Sequence, residues 1–279
     1  MEVRNFTKEE IYNMRYLNMV TSEGDIALVN DKAIKLFRRT SGDYFSNKLF
    51  TIHSLADDQS LKSIKELVLP EKIITIDKKI VGFTMPYVKG VTLEEYLDSD
   101  VSIDLKINAL KKVGNILEKM KELRIKNQMP DFFINDLHEK NFIVNLDSKE
   151  VSVVDLDSCS IDGNLKFGSK YLSYLTPLDG FKKYKKVETF TCGADYIPSM
   201  DTDLYCYIIM VLNFLSNIDF HKLSVEEANK YFEYLSNIGL NKELLDNISK
   251  IYSEDKNVNI ADSLDYIKEV IGKSRVRIR

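Results

Sequence analysis

The sequence predicts an α+β fold in one domain, a small β-rich part over residues 1–86 and a larger helical part over 87–279. Three observations predict it. The first ninety residues alternate apolar and polar side chains in short runs around one helical stretch. Ile103, Ile107, Leu110, Val113, Leu117, Met120 and Leu123 then recur at spacings of three and four, the stripe of an amphipathic helix. Further on, "DTDLYCYIIMVLNFLSN" (201–217) is apolar almost all round, as a buried helix is.

In chain order, "DIALV" (25–29) and "KAIKLF" (32–37) read as strands joined by the tight-turn pair Asn30-Asp31. "YFSNKLFTIHSLAD" (44–57) reads as a helix with Phe45, Leu49, Ile52 and Leu55 on one side. "KIITI" (72–76) and "KIVGFTMPYV" (79–88) form a second strand pair around Asp77-Lys78. "MPYVKG" (85–90) marks the junction between the two parts. Asp104 or Ser102 is available to cap the long helix that follows. Residues 134–158 read as a hairpin rich in acids, and 158–199 as a long irregular stretch. "SVEE" (224–227) is a capping box opening another helix, with two more over 241–253 and 261–271.

Composition limits the function classes. Hydrophobic residues make up 44% and charged residues 29%, the balance of an ordinary globular chain. A net charge of −4 gives no bulk attraction to nucleic acid or to an anionic membrane, and neither is an expected partner. Cys159, Cys192 and Cys206 are odd in number and lack the CxxC spacing, so neither a disulfide framework nor a zinc site is expected. The run "YCYIIMVLNFL" (205–215) is too short to span a bilayer, and "MEVRNFTKEE" is unlike a signal peptide. The expectation is a cytoplasmic protein.

The chemistry centres on "DLHEKN" (136–141) and "VVDLD" (153–157). An Asp, an Asn five residues later and an Asp beyond a hairpin suit metal-assisted phosphoryl transfer. Mg²⁺ bound to a nucleotide takes one or two hard oxygen ligands from protein, and a nearby carboxylate orients the attacking hydroxyl. An Asp and an Asn at this spacing are also common in plain turns, so the pair alone decides little.

These motifs resemble the protein-kinase-like superfamily, which includes protein kinases and aminoglycoside and choline kinases. The resemblance implies a bilobal fold, small β-rich lobe before helical lobe, with ATP and Mg²⁺ as cofactors. It makes Asp136 the catalytic base, places His138 near the transferred phosphate, and gives Mg²⁺ to Asn141 and Asp155. "KAIK" resembles the strand whose lysine holds the α- and β-phosphates, which is Lys35 here, with Ala33 lining the adenine pocket. Gly24 and Ile26 match the end of the glycine-rich loop, where Ser22 and nearby amides would meet phosphate. Met85 takes the gatekeeper position, Pro86 to Val88 the adenine-binding hinge, and Ile143 the pocket floor. Asp203 resembles the acid that braces the catalytic loop. Asp201 or Asp203 would equally serve as a routine helix cap. The matches cover nearly the whole chain.

The pattern also departs from the family. Two of the three usual glycines are missing, and Ile134-Asn135 replaces the His-Arg before the catalytic Asp. Control by activation-loop phosphorylation is therefore not expected. "IPSM" replaces the Pro-Glu that closes the activation segment. Asp157 stands where a Gly usually follows the metal-binding Asp, either as a second carboxylate near the metals or as a turn cap. No helix Glu is evident to pair with Lys35. Asn47 or Lys48 occupies the expected turn, and Asp57, Asp58 and Glu66 are substitutes at less suitable positions. "GKS" (272–274) lacks the glycine that a P-loop requires, and "FKKYKK" (181–186) reads as a solvated loop. The expected activity is transfer of phosphate to a hydroxyl, on protein Ser/Thr by the short spacing from Gly90 to Asp136, or on a small molecule by His138. A nucleotide-binding pseudokinase is the alternative from another class, and AMP transfer a third.

Overall fold

The computed structural model describes residues 1–17, 24–126, 128, 131–161, 171, 200–216, 219–237 and 264. Strands dominate its N-terminal region: β1 (Glu2–Asn5), β2 (Arg15–Tyr16), β3 (Gly24–Val29), β4 (Lys32–Phe37), β5 (Lys72–Ile76) and β6 (Lys79–Pro86), with helices α1 (Lys8–Tyr12) and α2 (Asp43–Asp57) between them. Helices follow, namely α3 (Leu93–Asp98), α4 (Ile103–Ile125), α5 (Met200–Ser216) and α6 (Val225–Asn237). Short strands lie among them: β7 (Val91–Thr92), β8 (Phe132–Phe133), β9 (Phe142–Val144), β10 (Val151–Val153) and β11 (Ser160–Ile161). The mixed class and the strand-then-helix order agree with the sequence.

Two tight turns fix the main sheet. Asn30 takes φ +57° between β3 and β4, while Asp77 and Lys78 take +49° and +65° between β5 and β6. Asn and Asp tolerate this left-handed geometry, and the resulting twist matches that of the flanking strands. The six strands run in the order β1-β5-β6-β4-β3-β2, antiparallel except where β1 lies parallel to β5. Gly82 sits against β4 so closely that a Cβ would lie 2.1 Å from the Lys35 carbonyl oxygen.

Apolar residues cover both faces of the sheet. On one, Ala33, Ile73, Phe83 and Met85 pack with Ile52 of α2 and with Val68. On the other, Ala27, Ile34 and Ile74 pack under Phe6, with Ile11 and Met14 alongside. The segment from β1 through α1 therefore acts as a cover over the outer face, which the sequence reading did not foresee. All four β1 residues are exposed, so the strand shows no alternation of burial.

A larger core joins the sequel of α2 to the helices. Leu55, Leu61, Ile64 and Leu67 pack in one cluster with Leu110, Leu117 and Met120 of α4 and with Leu204, Ile208 and Leu212 of α5. The all-round apolar character of α5 matches burial of nearly every residue from Thr202 to Val211. Tyr207 Oη crosses to the Leu110 carbonyl at 3.1 Å. Ser102, not Asp104, stands at the N-cap of α4, and Ser224 with Glu227 forms the expected capping box before α6.

The acidic hairpin forms as read, Val144 facing Val151 across β9 and β10. It is docked on the sheet region by backbone bonds, Val153 N–H to the Glu66 carbonyl at 2.7 Å and Val68 N–H to the Val153 carbonyl at 2.9 Å. Below the junction, a Cβ on Gly90 would lie 2.3 Å from the Val144 carbonyl oxygen, so the chain crosses β9 at backbone contact. The readings at Ser22, 181–186, 241–253 and "GKS" lie outside the described residues, as do those at "IPSM" apart from Met200 and at 261–271 apart from Leu264. Gly82→Ala should lower stability by about 1–3 kcal/mol, the range for overpacking a filled site, read as a lower urea midpoint at unchanged slope.

Candidate functional site

The site begins with a buried amine. Lys35 lies in the middle of β4, opposite Ile26 on one side and Phe83 on the other, and only 1% of it is exposed. An ammonium this far from water requires an anion beside it. Two are present. Lys35 Nζ bonds Asp155 Oδ1, and it bonds Asp157 Oδ1 at 2.7 Å.

Local backbone geometry aims these acids. Asp155 takes φ +63°, ψ +38°, a left-handed position that Asp accepts more readily than most residues, and it opens a one-turn 3₁₀ helix over Leu156–Ser158. Partial burial pushes the Asp155 carboxyl up to about 6, opposed by Lys35 and reinforced by Asp157. Solvent reaching 33% of its side chain, together with the ammonium, keeps it an anion at neutral pH. Asp157 is fully buried. Burial alone would raise it, but Lys35 and Lys48 hold it well below the usual carboxylate range. Burial likewise opposes the charge on Lys35, but the two carboxylates prevail and hold its pKa above the ordinary value.

From Asp155 a chain of contacts leads to the loop at 134–141. Val154 N–H donates to the Asn141 carbonyl at 2.9 Å, which sets Asn141 beside the backbone that leads into Asp155. The Asn141 amide donates to the Asp136 carbonyl at 2.9 Å and to Asp136 Oδ2 at 3.3 Å. His138 Nδ1 accepts the Lys140 N–H at 3.2 Å, so the ring proton belongs on Nε2, which faces Asp136 Oδ1 at 3.5 Å. Asp136 itself is 32% exposed, open to an incoming group. Lys35 with Asp155 and Asn141 with Asp136 and His138 thus form two groups, joined through the Val154 backbone next to Asp155.

The loop is held from behind by α5. Asp203 Oδ2 accepts the Ile134 N–H at 2.8 Å and Oδ1 accepts the Asn135 N–H at 2.9 Å. Asp203 therefore braces the loop, as the resemblance implies. Asn135 turns the chain at φ +63°, and its side-chain amide reaches the Ser158 carbonyl at 3.3 Å. The loop and the 155–158 turn are fastened together by this bond.

The apolar residues assigned to adenine also gather. Ala33 and Met85 face each other across β4 and β6, and Ile26, Val88 and Val154 pack against the same cluster. Pro86 is exposed at the end of β6 and has no N–H, and the Tyr87 N–H is bonded to the Asp31 carbonyl at 3.1 Å. Val88 supplies the remaining N–H of that segment. Ile143 lies lower, its Cγ2 2.8 Å from where a Gly90 Cβ would stand. Gly24 has a plain packing reason to be glycine, because a Cβ there would meet the Leu36 carbonyl oxygen at 2.4 Å.

The partners of Lys35 resolve what the sequence left open. Asp57 pairs with the Met1 ammonium at 3.4 Å, Asp58 accepts from Ser60 and from the Leu61 N–H, and Glu66 pairs with Lys119. None of the three reaches Lys35. Asn47 is exposed, whereas Lys48 is buried, with 3% exposed. Both oxygens of Asp157 are engaged by lysines, Oδ1 by Lys35 and Oδ2 by Lys48. One signal in the sequence pointed to this arrangement. Lys48 falls between Phe45 and Ile52 on the inward stripe of α2, where a cation demands a buried acid.

Among the described residues no group of three His, Cys, Asp or Glu side chains is placed to hold a metal. The Asn141 and Asp155 pair contains only one of those residue types. Its oxygens nonetheless suit Mg²⁺, which takes few protein ligands and fills its shell with phosphate and water. With the Asn141 amide donating to Asp136, its Oδ1 is the atom left to accept a cation. No protein-family model matches this chain, and no curated protein matches it.

Asp203→Ala should destabilise by about 1–3 kcal/mol for each buried N–H left without an acceptor. Burial pushes the Asp203 carboxyl from its ordinary 3.8 up to about 6, against the lowering effect of the two N–H donors. The folded state therefore binds this proton more tightly than the unfolded chain. Stability relative to Asp203→Ala should rise as pH falls from about 6 to 3.8, measured by denaturation across that window.

Proposed function

We propose that this protein is a kinase-like phosphotransferase of the bilobal kind, using ATP and Mg²⁺ to phosphorylate a hydroxyl. The observation that supports the reading is the ion pair of buried Lys35 with Asp155, tied through the Val154 N–H to Asn141, whose amide reaches Asp136. A plain polar hairpin has no need of a fully buried lysine reaching from a distant strand.

Each residue then has a task. Lys35 binds the α- and β-phosphates. Asn141 and Asp155 hold Mg²⁺, which when bound supplies charge neutralisation at the transferred phosphate. Asp136 accepts the acceptor's hydroxyl proton on a carboxylate oxygen, aligned by the Asn141 amide. His138 Nε2–H faces the same carboxylate and stands ready to meet phosphate oxygen. Ile26, Ala33, Met85 and Val88 offer apolar contact to adenine, with the Val88 backbone at its edge.

A protein Ser/Thr side chain is the acceptor class favoured. Among the described residues, only β7, α3, α4 and β8 separate Gly90 from Asp136, with none of the inserted helices usual in small-molecule kinases. A second reading, a nucleotide-binding module without catalysis, is favoured by the lysine that replaces an acid on α2. Labelled ATP, Mg²⁺, generic protein acceptors, aminoglycosides and amino alcohols test these readings together. Asp155→Ala should abolish transfer, and Asp136→Ala should lower kcat by about 10²–10⁴-fold with nucleotide binding retained. Transfer undiminished in Asp155→Ala overturns the assignment, and label found only on a small alcohol overturns the acceptor class.

A further inference from the structure

Two buried lysines lie on one carboxylate. Asp157 Oδ1 takes Lys35 Nζ at 2.7 Å, and Asp157 Oδ2 takes Lys48 Nζ at 2.6 Å. Lys48 also reaches Ser158 Oγ at 3.3 Å, and its Nζ stands 5.3 Å from the centre of the Tyr44 ring. We propose that Lys48 and Asp157 together are the positioning device for Lys35, replacing the carboxylate that α2 lacks. The proposal rests on reading Lys35 as the phosphate-binding lysine.

The argument is one of charge and geometry. A carboxylate projecting from α2 would hold Lys35 directly and leave the pair neutral. Here the acid comes from the 155–158 turn, and α2 contributes a second cation. Lys35, Lys48 and Asp157 together carry a net charge of one positive, aimed at the place where phosphates would bind. Asp155, the fourth member, balances that charge and remains partly exposed. Were Asp155 engaged by a metal ion, Asp157 would still hold Lys35 in place, because it is fully buried and both its oxygens are engaged by lysines. Lys48 meanwhile keeps Asp157 from drawing all of the Lys35 charge away from the ligand. The clamp also ties α2 to the 155–158 turn, whose Ser158 carbonyl holds Asn135 of the catalytic loop. Lys48 and Asp157 are positioning residues, acting through Lys35.

Moving the acid onto the helix tests this. The proteins compared are the wild type, Asp157→Asn, Lys48→Glu, and the double variant Lys48→Glu/Asp157→Asn. Two readouts are taken on folded protein. One is acylation of the lysine amines by a water-soluble succinimidyl ester without nucleotide, mapped by mass spectrometry. The other is the split between KM for ATP and kcat. Asp157→Asn should expose Lys35 to acylation and raise KM for ATP by about tenfold or more, the scale for truncating one partner of a buried charge pair, with kcat less affected. Lys48→Glu sets two carboxylates together and should impair KM similarly. The double variant should recover most of the loss in both readouts, and it carries the test should either single variant fail to fold. Lys35 equally protected in wild type and Asp157→Asn overturns the proposal, as does a double variant no better than the single ones. A wild type without ATP turnover would instead reject the phosphotransfer reading, while the acylation pattern would still decide whether the clamp holds Lys35.

Discussion

A lysine can keep its charge away from water only in the company of an anion, and in this protein one aspartate serves two of them. Asp157, with nothing exposed, joins Lys35 of β4 to Lys48 of α2. Much of the site depends on that bond. Removing one member of a buried ion pair costs about 3–5 kcal/mol, because the partner stays buried and uncompensated. The strand, the helix and the 155–158 turn are therefore held in register by electrostatics as well as by the apolar contacts of Ile52 and Phe83.

Around this centre the loops are set by backbone bonds rather than by their own preferences. Asn135 and Asp155 both adopt left-handed φ, at +63° each, and Asp155 is followed by a one-turn 3₁₀ helix. Such positions persist where the surroundings overdetermine them. Asp203 supplies that restraint on one side and the Lys35 amine on the other. The placing of Asp136 thus rests on groups contributed by α5, by the hairpin and by the N-terminal sheet.

How far the sequence reveals this depends on where the information resides. The strands β3 to β6, the helices α2, α4 and α5, and the hairpin were legible because their apolar periods are strong and their turns carry Asn or Asp at positive φ. The polar set Lys35, Asp136, Asn141 and Asp155 is named by the resemblance, through motifs that fall in the family's order, and spacing alone does not single it out. Three features were not legible. β1 has every residue exposed and no alternation to show. The acid that pairs with Lys35 was sought on α2, near in sequence to the expected turn, but it comes from 122 residues further along the chain. Lys48 stands in the sequence as one of two residues at the turn where an acid is expected, and its place in the stripe with Phe45 and Ile52 marks it as inward. Pairings between distant segments leave no periodic trace, and a buried charge is recognised only when its counterpart is known.

The strip of chain that runs from β1 through α1 has a consequence for how other molecules approach. Phe6, Ile11 and Met14 seal the surface of the sheet remote from α2. That surface is thereby closed as a landing place. Among the described residues, the large apolar side chains that this end of the protein turns outward are Val3, Tyr12 and Tyr16 on the covering segment and Phe50 on α2.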